Sequence, residues 1–470
     1  MTDLAMTTPV MISARLDRLP PTRTIWRWVI LLALGGFFEI YEVGMTASMG
    51  PGLVAAGIFE PGRKGLFGLP DLATFAFATF AGVYLGCVLF GRIADRWGRK
   101  PVFMWALLWY SLATAVMAFQ NDVTGICAWR FVAGIGVGIE IVVIDCYLAE
   151  VVPKSTRGRG FAVAMSVQFL AAPVGGILAG TLIPAGLFGV PGWRLLALVP
   201  AIGAVLVWWL RRGLPESPRW LAEHGRGAEA GAILDGLEAD AENQHGATLA
   251  AALPAAPPAP GEAAASMWKS PIRGRMIMII VGQSAGVVAY FGFANWIPSM
   301  LLSQGVSITR SLVYTAAIAM AHPLSFLLIS TFADRFERKW QIMAGSAVSG
   351  IAGLLFAQQS TALGWITLGV VITLSNNLFS FGTHAYQAEL FPTHIRARAV
   401  GFVYSFTRIA AAFSSYLFAW TLSERGVPAV FELIAACMLI CIIAIGFGPR
   451  TLGRSPEEID GHRPFGAVPQ

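Results

Sequence analysis

The chain has 470 residues, of which 56% are hydrophobic and only 13% charged, with a mean hydropathy of +0.64. Soluble domains carry about 25% charged residues, so this deficit excludes a disordered chain, a nucleic-acid binder and an ordinary soluble enzyme. The 33 basic and 27 acidic residues leave a net charge of +6, but the basic residues stand in short clusters between apolar runs, as membrane topology requires. Cys87, Cys127, Cys146, Cys437 and Cys441 all fall in apolar runs and give neither a disulfide framework nor a metal site.

A helix needs about 20 apolar residues to cross a bilayer. Twelve such runs are present, over 26–49, 72–93, 101–120, 126–149, 159–184, 192–211, 273–302, 311–332, 340–358, 362–387, 399–422 and 428–448. The first carries acids and has no small-residue cleavage site after it, so it is read as a span and not as a signal peptide. Arg15, Arg18, Arg23 and Arg27 precede it. Further basic clusters follow the second, fourth, sixth, eighth and tenth runs, whereas the alternate loops are mostly poor in charge. The positive-inside rule then places both termini and every even-to-odd loop in the cytoplasm.

Residues 213–272 begin polar and end in an Ala/Pro-rich stretch that cannot build a core and reads as a flexible linker. The expected organisation is an N-terminal six-helix half over 1–212, a cytoplasmic linker over 213–272, a C-terminal six-helix half over 273–450 and a cytoplasmic tail over 451–470.

The two halves repeat each other. GRIADRWGRK, starting at Gly91, returns as STFADRFERK, starting at Ser330, and Asp95 and Asp334 lie 239 residues apart. Tyr147, Glu150, Pro153 and Arg157 return as Tyr386, Glu389, Pro392 and Arg396 at the same spacing of 239. Shared membrane composition does not produce matched Asp, Glu, Tyr and Arg in one register. Two parallel six-helix halves around a midplane cavity are the architecture of alternating-access transporters. The fold class expected is therefore an all-α membrane protein of twelve transmembrane helices.

These motifs resemble those of the major facilitator superfamily over nearly the whole chain. Gly91-x-x-x-Asp95-Arg96-x-Gly98-Arg99-Lys100 is similar to the superfamily signature. Arg130-Phe131-x-x-Gly134-x-Gly136-x-Gly138, Glu150-x-x-Pro153-x-x-x-Arg157-Gly158 and Pro215-Glu216-Ser217-Pro218-Arg219 resemble the sugar-porter branch. In the second copy Ser330 and Glu337 replace the two glycines, which predicts looser packing there. The resemblance implies a cytoplasmic gate of charges that favours one of two rigid-body states. Its members here would be Asp95, Arg96, Arg99, Glu150, Arg157, Asp334, Arg335, Arg338, Glu389 and Arg396.

Ionisable residues inside a span are costly and are functional hypotheses by default. Glu39 and Glu42 stand three apart in the first span, on one helical face. A carboxyl that alternates between a desolvated site and a nearby cation can take up and release a proton. Arg130, early in the fourth span, lies at a compatible depth. In proton-coupled sugar porters an acid resembling Glu42 pairs with an Arg resembling Arg130, and aromatic-acid symporters carry two acids spaced like Glu39 and Glu42. Glu140 and Asp145 add charge to the fourth span. An acid at Glu140 resembles niacin-transporter and synaptic-vesicle-glycoprotein-like carriers and is a candidate for proton or substrate contact, and Asp145 lies toward the gate. The glycines at 134, 136 and 138 allow a close helix neighbour.

Arg408 in the eleventh span is the intramembrane cation of the second half. It is either an anion site, suited to a carboxylate, or the partner of a buried acid such as Glu140 or Glu42. Spans 1, 4, 7 and 10 line the cavity in the superfamily. Tyr290, Asn295, Trp296 and Gln283 in the seventh span, Asn376 in the tenth, Tyr404 in the eleventh and Gln168 in the fifth are the further substrate candidates. His322 and His384 read as packing residues. Gln283 is followed by Ser284, so the paired glutamines of hexose carriers are absent.

The expected function is proton-coupled import of a small organic anion, an aromatic or heteroaromatic carboxylate, across an inner membrane by a monomer that uses alternating access. Protons would travel on Glu39, Glu42 and Glu140 with Arg130 as partner. The expected partners are a small-molecule substrate, protons and the lipid bilayer. No cofactor, metal or nucleic acid is expected, and no nucleophile–base pair points to an enzyme. The alternatives are a transporter of a neutral sugar or polyol and a non-transporting nutrient sensor.

Overall fold

The computed structural model describes residues 8–60, 70–186, 189–246, 248–252, 270, 272–332, 335–391 and 393–452. In chain order the helices are α1 (Pro9–Asp17), α2 (Arg23–Ala55), α3 (Asp71–Trp97), α4 (Arg99–Met117), α5 (Val123–Val151), α6 (Arg157–Phe169), α7 (Ala171–Ala185), α8 (Gly192–Arg211), α9 (Pro218–Glu223) and α10 (Gly227–His245). The second half follows with α11 (Ile272–Ala294), α12 (Ile297–Ser303), α13 (Ile308–Ala319), α14 (Ala321–Phe332), α15 (Arg338–Phe356), α16 (Ala362–Leu390) and α17 (Thr393–Gly446).

Among the described residues, ten stretches are long and apolar enough to cross a bilayer. One of them, 398–446, is two passes in series, because Gly426 breaks α17 with φ at 76°. The ninth span, α15, has the length but carries Arg338, Lys339 and Gln341 in its first turns. The fifth span divides at Leu170 between α6 and α7, the eighth at Met320 between α13 and α14, and the seventh at Asn295–Trp296, just ahead of Pro298.

Close helix contact in the first half rests on glycine. A Cβ on Gly134 or Gly138 would lie 2.5 Å and 2.2 Å from the Thr79 and Val83 carbonyl oxygens of α3. Gly82 and Gly86 of α3 answer from the other side, 2.3 Å and 2.2 Å from the Phe131 and Ile135 oxygens. Gly136 faces a different neighbour, Trp109 and Tyr110 of α4. The sequence expectation of one close partner for the three glycines thus becomes two.

The polar first part of the linker forms α9 and α10, which pack on α1. Leu234, Leu237 and Ala241 are buried with Ile12 and Leu16 in the same core as the inner ends of the first-half spans. Arg15 bridges Asp235 at 2.5 Å and Glu238 at 2.8 Å, and Arg18 meets Glu238 at 2.7 Å. The Ala/Pro-rich stretch 253–269 and the tail from 453 lie outside the described residues.

Burial pushes the Glu238 carboxyl up, but the hydrogen bonds from Arg15 and Arg18 outweigh it and hold it below its ordinary value of 4.5. A depressed carboxyl stabilises the docked helix above that value, and the contribution is lost as pH falls through the lowered one. Glu238→Gln is expected to loosen α1 by about 1–2 kcal/mol. Tryptic cleavage after Arg15 and Arg18 at neutral pH should then accelerate roughly 5- to 30-fold; an unchanged rate would show that the apolar contacts alone hold α1.

Candidate functional site

The halves meet along two pairs of spans. Gly176 of α7 lies against Ala316 of α13, where a Cβ would stand 2.8 Å from the alanine side chain. The second and eleventh spans share an apolar cluster of Phe80, Ala411 and Ala412. Between these seams lies a cavity of about 920 Å³. It reaches Arg157 and Glu389 at the face that carries the linker helices, and it ends at Ser48, Asn295 and Ile297 toward the opposite face, where α12 packs on α2.

Glu39 and Asp145 stand on the first-half wall, Arg408, Tyr404 and His384 on the second. Glu39 is 8% exposed, and it makes no hydrogen bond or ion pair with a described residue. Arg408 likewise has no ion pair among the described residues, and its buried Nε has no hydrogen-bond partner. Its guanidinium lies 5.6 Å from the Tyr404 ring centre. Tyr404 donates its hydroxyl to His384 Nε2, and His384 Nδ1 donates to the Ser380 carbonyl at 2.6 Å. The alternative that Arg408 pairs with Glu42 or Glu140 is not what the structure shows.

Those two acids have partners of their own within the first half. Arg130 Nη1 meets Glu42 Oε2 at 2.6 Å, with side chains 1% and 0% exposed. Thr114 donates to the same carboxylate oxygen at 3.1 Å, while Arg130 donates to Thr79 at 2.9 Å, to Thr46 at 3.2 Å and to the Glu42 carbonyl. Neither residue lines the cavity. Glu140 meets Arg211 at 2.7 Å, again off the cavity. Arg211, the last residue of the sixth apolar run, does not point to the membrane surface. Instead its side chain is 1% exposed, 3.5 Å above the Phe103 ring and bonded to the Phe103 carbonyl at 3.0 Å. Gly35 makes room for it, since a Cβ there would collide with Arg211 Nη2.

Of the polar candidates, Gln168, Gln283, Tyr290, Asn295, Asn376 and Tyr404 line the cavity. Asn376 accepts from Ser349 at 2.8 Å, whereas Gln168 Nε2 and Gln283 Oε1 are buried without a protein partner. Trp296 requires correction: it turns into the apolar core of the second half with Phe293, Phe356 and Phe431, because the helix break at that point rotates it away from the cavity. Sequence reasoning passed over His322, His384, Asp145 and Phe169 as lining residues. A histidine and an aspartate at matching depths in spans 10 and 4 were the available signal.

The loop charges form two equivalent knots at the linker face. Arg99 bridges Asp95 at 2.6 Å and Glu150 at 3.0 Å, and Tyr147 donates to the Pro215 carbonyl. Arg338 pairs with Glu389 at 3.2 Å, and Tyr386 donates to the Pro449 carbonyl at 2.8 Å. Each ion pair stays inside its own half. Arg157 does not reach Glu150 but meets Asp17 of α1 at 3.5 Å. Arg96 and Arg335 are exposed, and Asp334 and the side chain of Arg396 lie outside the described residues.

The replaced glycine does not loosen the second knot. In the first, Glu216 accepts from the Arg99 and Lys100 backbone N–H groups at 3.0 and 3.2 Å, beside Gly98. In the second, Glu337 itself stands where Gly98 does and accepts from the Thr451 and Leu452 N–H groups at 2.8 and 3.3 Å. Gly98 has φ at 99°, and a Cβ would stand 2.4 Å from Glu216 Oε2. Gly98→Ala is therefore expected to cost about 1–3 kcal/mol, read as a lowered melting temperature. Glu216→Ala in the same chain should return part of it, and a neutral Gly98→Ala would show that the knot is slack.

Comparison with known proteins shows the family and the fold. The family model described as "Sugar (and other) transporter" matches residues 28–462. YyaJ of Bacillus subtilis, provisionally called a metabolite transport protein, is 31% identical over 93% of this chain and 95% of its own length. The niacin transporter NiaP of Acinetobacter baylyi is 26% identical over 95% and 99%. The inward-open, partially occluded structure of the xylose transporter XylE from E. coli superposes with a TM-score of 0.71 at 18% identity, covering 92% of this chain and 99% of that one, which shows the shared fold. The chain belongs to the sugar (and other) transporter family of the major facilitator superfamily, and is a multi-pass membrane transporter and not an enzyme.

Proposed function

We propose that this protein imports a small organic anion, an aromatic or heteroaromatic carboxylate, together with protons across a bacterial inner membrane, as a monomer with both termini in the cytoplasm. The observation that carries the reading is Arg408. It is a guanidinium on the cavity wall without an ion pair among the described residues, next to aromatic side chains. A cation within a span left without a partner is costly, and a substrate carboxylate would supply that partner bidentately. The relative called a niacin transporter fits a heteroaromatic carboxylate.

Glu39 is the acid of the first span that meets the cavity, and Glu42, held by Arg130 behind it, is the second proton site one turn on. Glu140 is left with a structural task against Arg211. In the state described the cavity reaches the linker face, and closure of the two knots toward each other would complete alternating access.

A neutral sugar or polyol is the second reading, favoured by the unpaired amides of Gln168 and Gln283 on the cavity wall. A thermal-shift panel of aromatic carboxylates beside sugars and polyols separates the two. Stabilisation by carboxylates that Arg408→Ala abolishes supports the first reading, and stabilisation by neutral compounds alone overturns it.

A further inference from the structure

His322 lies in the middle of the eighth span, two residues after its break. The ring stacks on Phe169 of the fifth span, with centroids 5.1 Å apart and planes 30° from parallel, and both residues line the cavity. His322 Nδ1 stands 3.1 Å from Asn377 Oδ1.

Which proton the ring carries follows from the groups behind it. Ser325 Oγ donates to the His322 carbonyl at 2.7 Å. A hydroxyl has one proton, so Ser325 can only accept from Asn377, whose Nδ2 lies 2.5 Å away. That fixes the amide: nitrogen toward Ser325, oxygen toward His322. An amide oxygen only accepts, so Nδ1 of His322 must carry the ring proton. Asn377 and Ser325 are 0% and 1% exposed and do not line the cavity. The ring has no carboxylate partner among the described residues, so nothing there holds a second proton. Nε2 is left as a lone pair at the ring edge away from Asn377, without a hydrogen-bond partner among the described residues.

We propose that His322 is a specificity-determining residue. Its Nε2 accepts a hydrogen bond from an N–H or O–H group of the transported molecule, with Asn377 and Ser325 as positioning residues that set the tautomer. The inference rests on the transport reading above and adds a requirement to it. The carboxylate substrate carries a hydrogen-bond donor on its ring.

The test uses the purified full-length protein and matched probes: 3- and 4-hydroxybenzoate and 3- and 4-aminobenzoate against their methoxy and dimethylamino counterparts and plain benzoate. The wild type should prefer the best donor probe over its methylated counterpart by about 3- to 12-fold in Kd. His322→Phe keeps the stacking and should bring that ratio close to one. Asn377→Asp, nearly the same size, should do so as well, because a carboxylate draws a second proton onto the ring and turns Nε2 into a donor. Histidine ¹⁵N spectra give a readout without ligand: the resonances lost in His322→Phe should belong to an Nδ1–H tautomer.

An Nε2–H or doubly protonated ring, or an equal ratio in wild type and both variants, overturns the inference while the anion reading stands. If D-xylose and myo-inositol bind and no carboxylate does, the anion reading falls. The His322→Phe effect on those polyols then decides the inference by itself, since their hydroxyls are donors. Failure of every probe to bind overturns both.

Discussion

Arg130→Leu is expected to lower the melting temperature of the purified protein by roughly 3–5 °C, corresponding to a loss of about 3–5 kcal/mol. The change leaves Glu42 0% exposed without its guanidinium, and Thr114, at 3.1 Å, is its one remaining side-chain donor among the described residues. Glu42→Gln is gentler, because Arg130 keeps its bonds to Thr79, Thr46 and the Glu42 carbonyl. This second variant should fold, exchange labelled substrate across proteoliposomes, and fail to accumulate it against a gradient when the outside is made acidic. Preserved accumulation in Glu42→Gln would move proton coupling to Glu39 alone. A wild-type melting temperature in Arg130→Leu would mean that Glu42 is already neutral in the folded protein.

Arg408→Ala should weaken binding of the best aromatic carboxylate by about 30- to 150-fold, the equivalent of about 2–3 kcal/mol for a charge-assisted contact. The folded protein should survive the change, because Arg408 makes no ion pair with a described residue and its loss strands no acid directly bonded to it. Removing the cation of a buried pair, as in Arg130→Leu, would instead destabilise the fold. Arg408→Lys keeps the charge but not the planar fork, so an intermediate affinity is expected. Equal affinity in wild type and Arg408→Ala would point to a neutral ligand held by the amides of the cavity.

What the sequence could show depended on how far each interaction lies from its own signal. The Glu42–Arg130 pair was legible because both residues sit deep in apolar spans at similar depth, and burial there demands a counter-charge. The Glu140–Arg211 pair was not. Arg211 stands at the end of its span, where a basic residue ordinarily marks topology, and nothing in one dimension shows that its side chain folds back past Gly35. Helix α10 was legible and overlooked: Ala230, Leu234, Leu237 and Ala241 fall on one helical face, but the alanine–proline stretch after them dominated the composition. His322 carried no charge pattern of its own, and its setting is made by Asn377 and Phe169 from two other spans.

The two knots use the same contact with opposite polarity, and this bears on the order in which the protein is made. In the first half the acid that completes the knot, Glu216, leaves the ribosome just behind the sixth span. That half can seal its inner end before any of the second half exists, consistent with domains folding one at a time from the N-terminus. In the second half the acid, Glu337, is made early and waits for the N–H groups of Thr451 and Leu452, which follow the last span. Synthesis therefore lets the first bundle tie its inner end before the second begins, whereas the second ties its own only after its last span has been made.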